Sequence, residues 1–282
     1  METPSWLDSE LYPFRSRFIE VPDARLHYID EGEGPTLLLI HGNPTWSFLY
    51  RDVIRQLSTE FRCIAIDLPG FGLSATGDGR IFDPADHACS VAELIEQLDI
   101  RDYVLVAHDW GGPIGLAAAL EAPERLAGLA LGNTWAWPVA DDPHFSRFSS
   151  FMGGPIGRFG ARTINFIINA MLPAGHRRRR LSVTELRHYR APMTTPRRRA
   201  ATSRFATAIV SATPFLQQLE ARLPEIVDRP ALLLWADGDI AFRTKELDRW
   251  RSLLSQLRVI PLAGVGHFSP SDAPSEFSSG IR

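Results

Sequence analysis

The chain has 282 residues, 45% of them hydrophobic and 22% charged, with a formal net charge of -3. That balance suits a soluble globular protein with one large α/β domain and room for an inserted subdomain. It supplies no overall positive field for nucleic acid or an anionic membrane. The first residues, Met1 to Asp8, hold no apolar run like that of a secretory signal, and no stretch approaches the ~18 apolar residues of a membrane span. A cytoplasmic location is expected, with no membrane insertion. Cys63 falls in an apolar strand and Cys89 in a helix. Both are expected to be buried packing residues in a reducing compartment, neither in a disulfide.

In chain order, residues Ser16–Asp30 alternate apolar and polar around Val21-Pro22-Asp23-Ala24, which predicts an antiparallel hairpin. Short unbroken apolar runs follow at Thr36–Ile40, Cys63–Ile66, Tyr103–Ala107, Leu126–Leu131, Ala231–Trp235 and Arg258–Leu262. Such runs suit strands buried on both faces of a parallel sheet. Helical stretches at Ser47–Leu57, Ala88–Leu98, Gly112–Ala122 and Thr244–Gln256 separate most of them. The expected class is therefore α/β, a mostly parallel doubly wound sheet. The alternation stops between about Trp135 and Arg229, where amphipathic helical patches are expected at Ala161–Met171 and Arg204–Leu219. The organisation expected is a core over 1–134, a helical cap insertion over 135–229 and the rest of the core over 230–282. A helical insertion between two strands would roof the strand ends, where parallel sheets place their ligands. Two arginine runs, Arg177–Arg180 and Arg197–Arg199, lie in that insertion. They read as a solvated helix face and turn, or more sharply as a surface for an anionic partner or an oligomer contact.

Tyr103-Val-Leu-Val-Ala-His108-Asp109-Trp110-Gly111-Gly112 has the strand, tight turn and helix of a nucleophile elbow, whose usual form is Gly-x-Ser-x-Gly. Ala107 replaces the first glycine, and Asp109 stands where serine would be. Read alone, Asp109 is also what a helix N-cap after a strand would use. As a nucleophile, an ionised carboxylate needs no general base. It displaces a leaving group from saturated carbon and leaves an alkyl ester, which an activated water must hydrolyse. Serine-type esterase or protease action is disfavoured. Gly266-His267-Phe268, in a loop after the last strand, offers the base in the chain order of this fold. Asp237 and Asp239 both follow the Ala231–Trp235 strand, and one should accept from the imidazole and stabilise its cation; Asp239 is favoured.

His41-Gly42-Asn43-Pro44-Thr45-Trp46 follows the Thr36–Ile40 strand, where this fold takes one oxyanion N–H; the other comes from the residue after the nucleophile. These are Asn43 and Trp110. Their side chains, an amide and an indole donor, would also cradle a departing halide, although a turn residue and a packing residue are the plainer readings.

The motifs His41-Gly-Asn-Pro-Thr-Trp, Asp67-Leu-Pro-Gly-Phe-Gly, His108-Asp-Trp-Gly-Gly112, Asn133-Thr-Trp and Gly266-His-Phe268 together resemble the haloalkane dehalogenases of the α/β-hydrolase fold. The resemblance spans nearly the whole chain and is weakest in the cap. It implies Asp109 as nucleophile, His267 as base, and Asn43 with Trp110 as halide ligands. One subgroup of the family carries a Glu after the strand that follows the nucleophile helix. Asn133, which cannot ionise, stands there, so the chain is similar to the subgroups with a late Asp, in favour of Asp239. Trp135, Trp137 and Phe166 are expected as possible cap contacts. The implied reaction converts a haloalkane to an alcohol and halide through a covalent alkyl-aspartate ester, with a small apolar halogenated substrate and water, and no cofactor or metal. A homo-oligomer is compatible with the sequence, and nucleic acid is not expected.

Epoxide hydrolase is the nearest rival. That family usually uses two cap tyrosines, and only Tyr189 of the five tyrosines lies in the insertion. Fluoroacetate dehalogenases usually show Arg where Trp110 stands. A non-catalytic ligand-binding relative need not keep nucleophile, acid and base together, as this sequence does.

Overall fold

The computed structural model describes residues 4–77 and 80–282. β1 (Arg17–Val21) and β2 (Ala24–Glu31) form the antiparallel hairpin, turning at Asp23 with φ 61°. β3 (Thr36–Ile40), β4 (Arg62–Ile66), the two-residue β5 (Ala75–Thr76), β6 (Tyr103–His108), β7 (Leu126–Gly132), β8 (Ala231–Ala236) and β9 (Leu257–Leu262) complete one sheet. The order is β1-β2-β4-β3-β6-β7-β8-β9, with β5 paired to β2. β2 meets its neighbours antiparallel, and from β4 to β9 every pairing is parallel. Leu37–Ile40 and Leu105–Ala107 are buried on both faces, as their unbroken apolar runs require.

The helices are α1 (Arg51–Leu57), α2 (Pro84–Gln97), α3 (Gly111–Ala119), α4 (Pro143–Gly153), α5 (Pro155–Thr163), α6 (Leu172–Ala174), α7 (Val183–Arg190), α8 (Pro196–Ser211), α9 (Thr213–Arg222), α10 (Thr244–Leu253), α11 (Ser269–Asp272) and α12 (Pro274–Ile281). α1 packs against α12, and α2 against α3. α4 to α9 all fall between β7 and β8, and no strand interrupts them among the described residues. No helix among the described residues is long and apolar enough to cross a membrane.

Four expectations need correction. β9 is only partly buried, because it ends the sheet and pairs with β8 alone; Pro261 is tolerated on such an edge. Ala161–Met171 is not one helix. α5 stops at Thr163, Asn165 takes φ 53°, and a π-turn over Ile167–Met171 follows; Asn is among the few residues that tolerate that conformation. Arg204–Leu219 breaks at Ala212. Pro214 has no N–H for the Val210 carbonyl, and the Thr213 hydroxyl takes that acceptor instead at 2.7 Å. Finally, Cys63 is buried but Cys89 is exposed, since α2 turns His87, Ser90, Val91 and Leu94 inward and leaves Cys89 outside.

Candidate active site

The tight turn after β6 puts Asp109 at φ 52°, a left-handed conformation that costs a non-glycine residue roughly 1–3 kcal/mol. The surroundings hold it there. The Asp109 N–H donates to the Asn133 carbonyl at 3.2 Å, and the Thr134 hydroxyl donates to the Asp109 carbonyl at 2.6 Å. Gly111 lets the turn approach β3, because a Cβ there would collide with the Ile40 carbonyl. The turn aims the carboxylate at the loop after β3, where the Asn43 N–H donates to Asp109 Oδ1 at 2.7 Å. The Trp110 N–H also bonds this carboxylate. Burial raises the Asp109 carboxyl above its usual range, while the His267 charge and these two N–H bonds pull it back toward ionisation.

His267 Nε2 lies 3.8 Å from Asp109 Oδ2, and His267 Nδ1 lies 2.9 Å from Asp239 Oδ2. Asp239 is fully buried, and its other oxygen accepts from the Ala241 N–H at 2.7 Å. Burial, the largest single influence on His267, disfavours its cation. The Asp239 charge and hydrogen bond, with Asp109 behind them, outweigh it and raise the imidazole above its usual 6.5. Asp237 points elsewhere and accepts from the Gly264 N–H at 2.6 Å, as a turn residue. Asn133 is also occupied elsewhere: its amide gives to and takes from the Ala236 backbone at 3.0 and 2.8 Å, lacing β7 to β8.

Asp109, His267, Asn43 and Trp110 line one cavity of about 250 Å³. Its walls are Phe145, Phe148, Ile167, Met171 and Phe242, with Trp135 set edge-on to Trp110 at a centroid distance of 4.7 Å. A larger open cleft of about 590 Å³ between α2, α3 and α9 contains none of these groups. The Trp110 indole nitrogen donates no hydrogen bond among the described residues. The Asn43 amide gives one N–H to the Thr202 carbonyl at 3.2 Å, leaving the second, while its Oδ1 is buried without a partner. Trp135 Nε1 is likewise buried without an acceptor. Of the three expected cap contacts, only Trp135 reaches the cavity. Trp137 packs edge-on against Trp250, and Phe166 lies outside the lining. Among the described residues, no group of three or more His, Cys, Asp or Glu could hold a metal ion.

Several contacts around the imidazole carried no sequence signal. His108 Nε2 contacts the His267 carbonyl at 2.7 Å, and burial holds His108 well below its usual value, so it is neutral and donates from that nitrogen. The run Arg177–Arg180 lies outside any helix, and Arg177, Arg178 and Arg180 are exposed to solvent, as a solvated turn requires. Its Arg177, Arg178 and Arg179 N–H groups converge on the Asp272 carboxylate at 3.0–3.2 Å. Asp272 also accepts from Gly266, the residue before His267, at 2.8 Å. Arg177 reaches the Gly238 carbonyl, next to Asp239, at 3.4 Å. His176 stacks on Phe268 with centroids 5.3 Å apart. One carboxylate thus ties the helical insertion to the loop that carries the imidazole.

Residues 35–274 match the family model described as alpha/beta hydrolase fold, the class that this sheet and elbow define. The chain is 38% identical over 276 residues to haloalkane dehalogenase 2 of Mycobacterium tuberculosis, covering 97% of this chain and 96% of that protein. It is 30% identical over 281 residues to cis-3-alkyl-4-alkyloxetan-2-one decarboxylase of Shewanella oneidensis, covering 96% and 88%. The crystal structure of haloalkane dehalogenase DbeA from Bradyrhizobium elkanii superposes with a TM-score of 0.86 at 26% identity, over 95% of this chain and 96% of that one. This chain belongs to the haloalkane dehalogenase family of α/β-hydrolases.

Proposed function

We propose that this protein hydrolyses haloalkanes through an ester formed on Asp109, with residues 135–229 as a cap over a core of residues 1–134 and 230–282. The observation that carries the reading is the chain of contacts from Asp109 through His267 to Asp239 at the floor of an apolar cavity. Asp109 Oδ2 attacks the carbon bearing the halogen, the carbon–halogen bond breaks, and halide leaves between the Trp110 indole and the free Asn43 amide N–H. The water-poor wall strengthens both donors. Neutral His267 then takes a proton from water, whose oxygen attacks the ester carbonyl. The Asn43 and Trp110 backbone N–H groups, already on the carboxylate, receive the oxyanion. Asp239 stabilises the imidazolium; the ester C–O bond to the alkoxide then breaks, the imidazolium gives its proton to that alkoxide to form the alcohol, and the new Asp109 carboxyl loses its proton to solvent, which restores the carboxylate.

Halide release from 1-chlorobutane, 1-bromobutane and 1,2-dibromoethane tests this, with Asp109→Ala expected to be folded and inactive. The decarboxylase relative supplies the second reading. Carbon dioxide from a cis-3-alkyl-4-alkyloxetan-2-one, with no halide from any haloalkane, would replace the first reading with the second. Turnover retained in Asp109→Ala would remove the covalent step.

A further inference from the structure

The formal total of -3 hides a segregation of charge. Residues 135–229 carry fifteen arginines against six acidic residues, a formal +9, which leaves -12 on the rest of the chain. The same segment exposes large apolar side chains at one corner. Phe151 lies in the last turn of α4, and Ile156 and Phe159 follow on α5, at 54%, 75% and 62% exposure, with Ile164 at 56% just beyond. The corner is tight: Gly157 sits on the Phe151–Met152 backbone where a Cβ would not fit. Arg158 and Arg162, one helical turn apart on α5, face an open concavity of about 630 Å³ shared with Arg204, Ser149, Ser150 and Thr207. Arg204 pairs with Asp83, whereas Arg158, Arg162 and Arg147 form no ion pair among the described residues. Arg199 holds the Thr163 carbonyl at the other end of α5 at 2.6 Å.

We propose that this α4–α5 corner docks on an anionic phospholipid surface, with Phe151, Ile156 and Phe159 seated at the headgroup boundary and Arg158 and Arg162 on the lipid phosphates. Charge complementarity decides the occupant. A second copy docking through the same corner would set +9 against +9, and a neutral partner would not use the arginines. Exposed apolar side chains beside guanidinium groups match the pattern of helices that lie in the membrane interface. Such docking requires no spanning helix. Each arginine at an anionic surface contributes roughly a fivefold factor in partitioning, and that factor is lost with salt.

The test is co-sedimentation of the full chain with vesicles of phosphatidylcholine alone or mixed equally with phosphatidylglycerol, at low and high salt. Binding is expected to the mixed vesicles, to fall with salt, and to fall at least about twentyfold in R158E/R162E. I156D/F159D should also lose it, and circular dichroism together with gel filtration reports whether each variant stays folded. Conservative R158K/R162K, which keeps the charge, should retain most of the binding. Equal binding to pure phosphatidylcholine, or none to either vesicle, overturns the proposal. So does a wild-type dimer that I156D/F159D converts to a monomer, which would make a second copy the occupant. Saturable binding of inorganic phosphate lost in R158E/R162E, without vesicle binding, would overturn it in favour of a free-phosphate site.

Discussion

On the proposed mechanism, Asp239→Asn should separate ester formation from ester hydrolysis. Asp239 Oδ2 lies 2.9 Å from His267 Nδ1, and the carboxylate is fully buried. Two unit charges about 4 Å apart at an effective dielectric of ~20 interact by roughly 4 kcal/mol. Loss of that stabilisation from the imidazolium-forming step corresponds to about 10³-fold in rate. The amide adds a second fault, because an Asn N–H directed at Nδ1 would force the ring proton onto Nε2, where the base must be bare. In the proposed mechanism ester formation uses an ionised Asp109 and needs no base, so it should change little. Rapid mixing with 1-bromobutane should therefore give a burst of about one halide per enzyme and then a slow phase. Mass spectrometry should show the butyl adduct on Asp109. The acid limb of ester hydrolysis provides an independent check. In the free enzyme Asp239 and Asp109 hold the imidazole above 6.5 against burial; in the ester Asp109 carries no charge, Asp239 alone opposes burial, and hydrolysis should fall as pH drops through the value it sets. Without Asp239, no carboxylate opposes burial in the ester, and the limb should move to lower pH. Asp237→Asn should leave both phases unchanged. Equal slowing of burst and steady phases in Asp239→Asn, or wild-type turnover, would refute the assignment.

Three further outcomes follow from the same geometry. His267→Phe should release one equivalent of halide and accumulate the Asp109 ester; steady turnover in that variant would exclude His267 as the hydrolytic base. Trp110→Phe keeps the ring and removes the indole donor, so debromination kcat should fall roughly 10²-fold, and bromide should quench tryptophan fluorescence less than in the wild type; unchanged kcat would make Trp110 a packing residue. Asp272→Asn weakens four backbone N–H bonds to a carboxylate. It should cost about 2–4 kcal/mol in urea unfolding at neutral pH. Burial alone would raise the Asp272 carboxyl, but those N–H bonds outweigh it and lower it. Its contribution is thus present above the unfolded value of ~3.9 and lost as pH falls through the lower folded value. The stability gap between wild type and variant should narrow in acid, and a gap independent of pH would contradict this account.

The sequence by itself determined whatever depends on neighbours along the chain. Unbroken apolar runs such as Thr36–Ile40 became buried strands, because a stretch with no polar alternation has no face to give to water. The elbow was legible because Ala107, Asp109, Gly111 and Gly112 meet one local demand, a tight turn in which Gly111 presses on the end of β3 and Gly112 on Thr134. Tertiary structure decided what depends on direction in space. Asp237 and Asp239 are two residues apart on one turn, and only the fold sends one to Gly264 and the other to His267. Trp135 faces the cavity while Trp137, on the same loop, packs on Trp250; composition cannot tell such side chains apart. The arginines at 177–179 drew attention for their side chains, yet their backbone N–H groups gather on a carboxylate more than ninety residues away. Every residue but proline carries such a donor, so no side-chain pattern in the sequence marks where those donors converge.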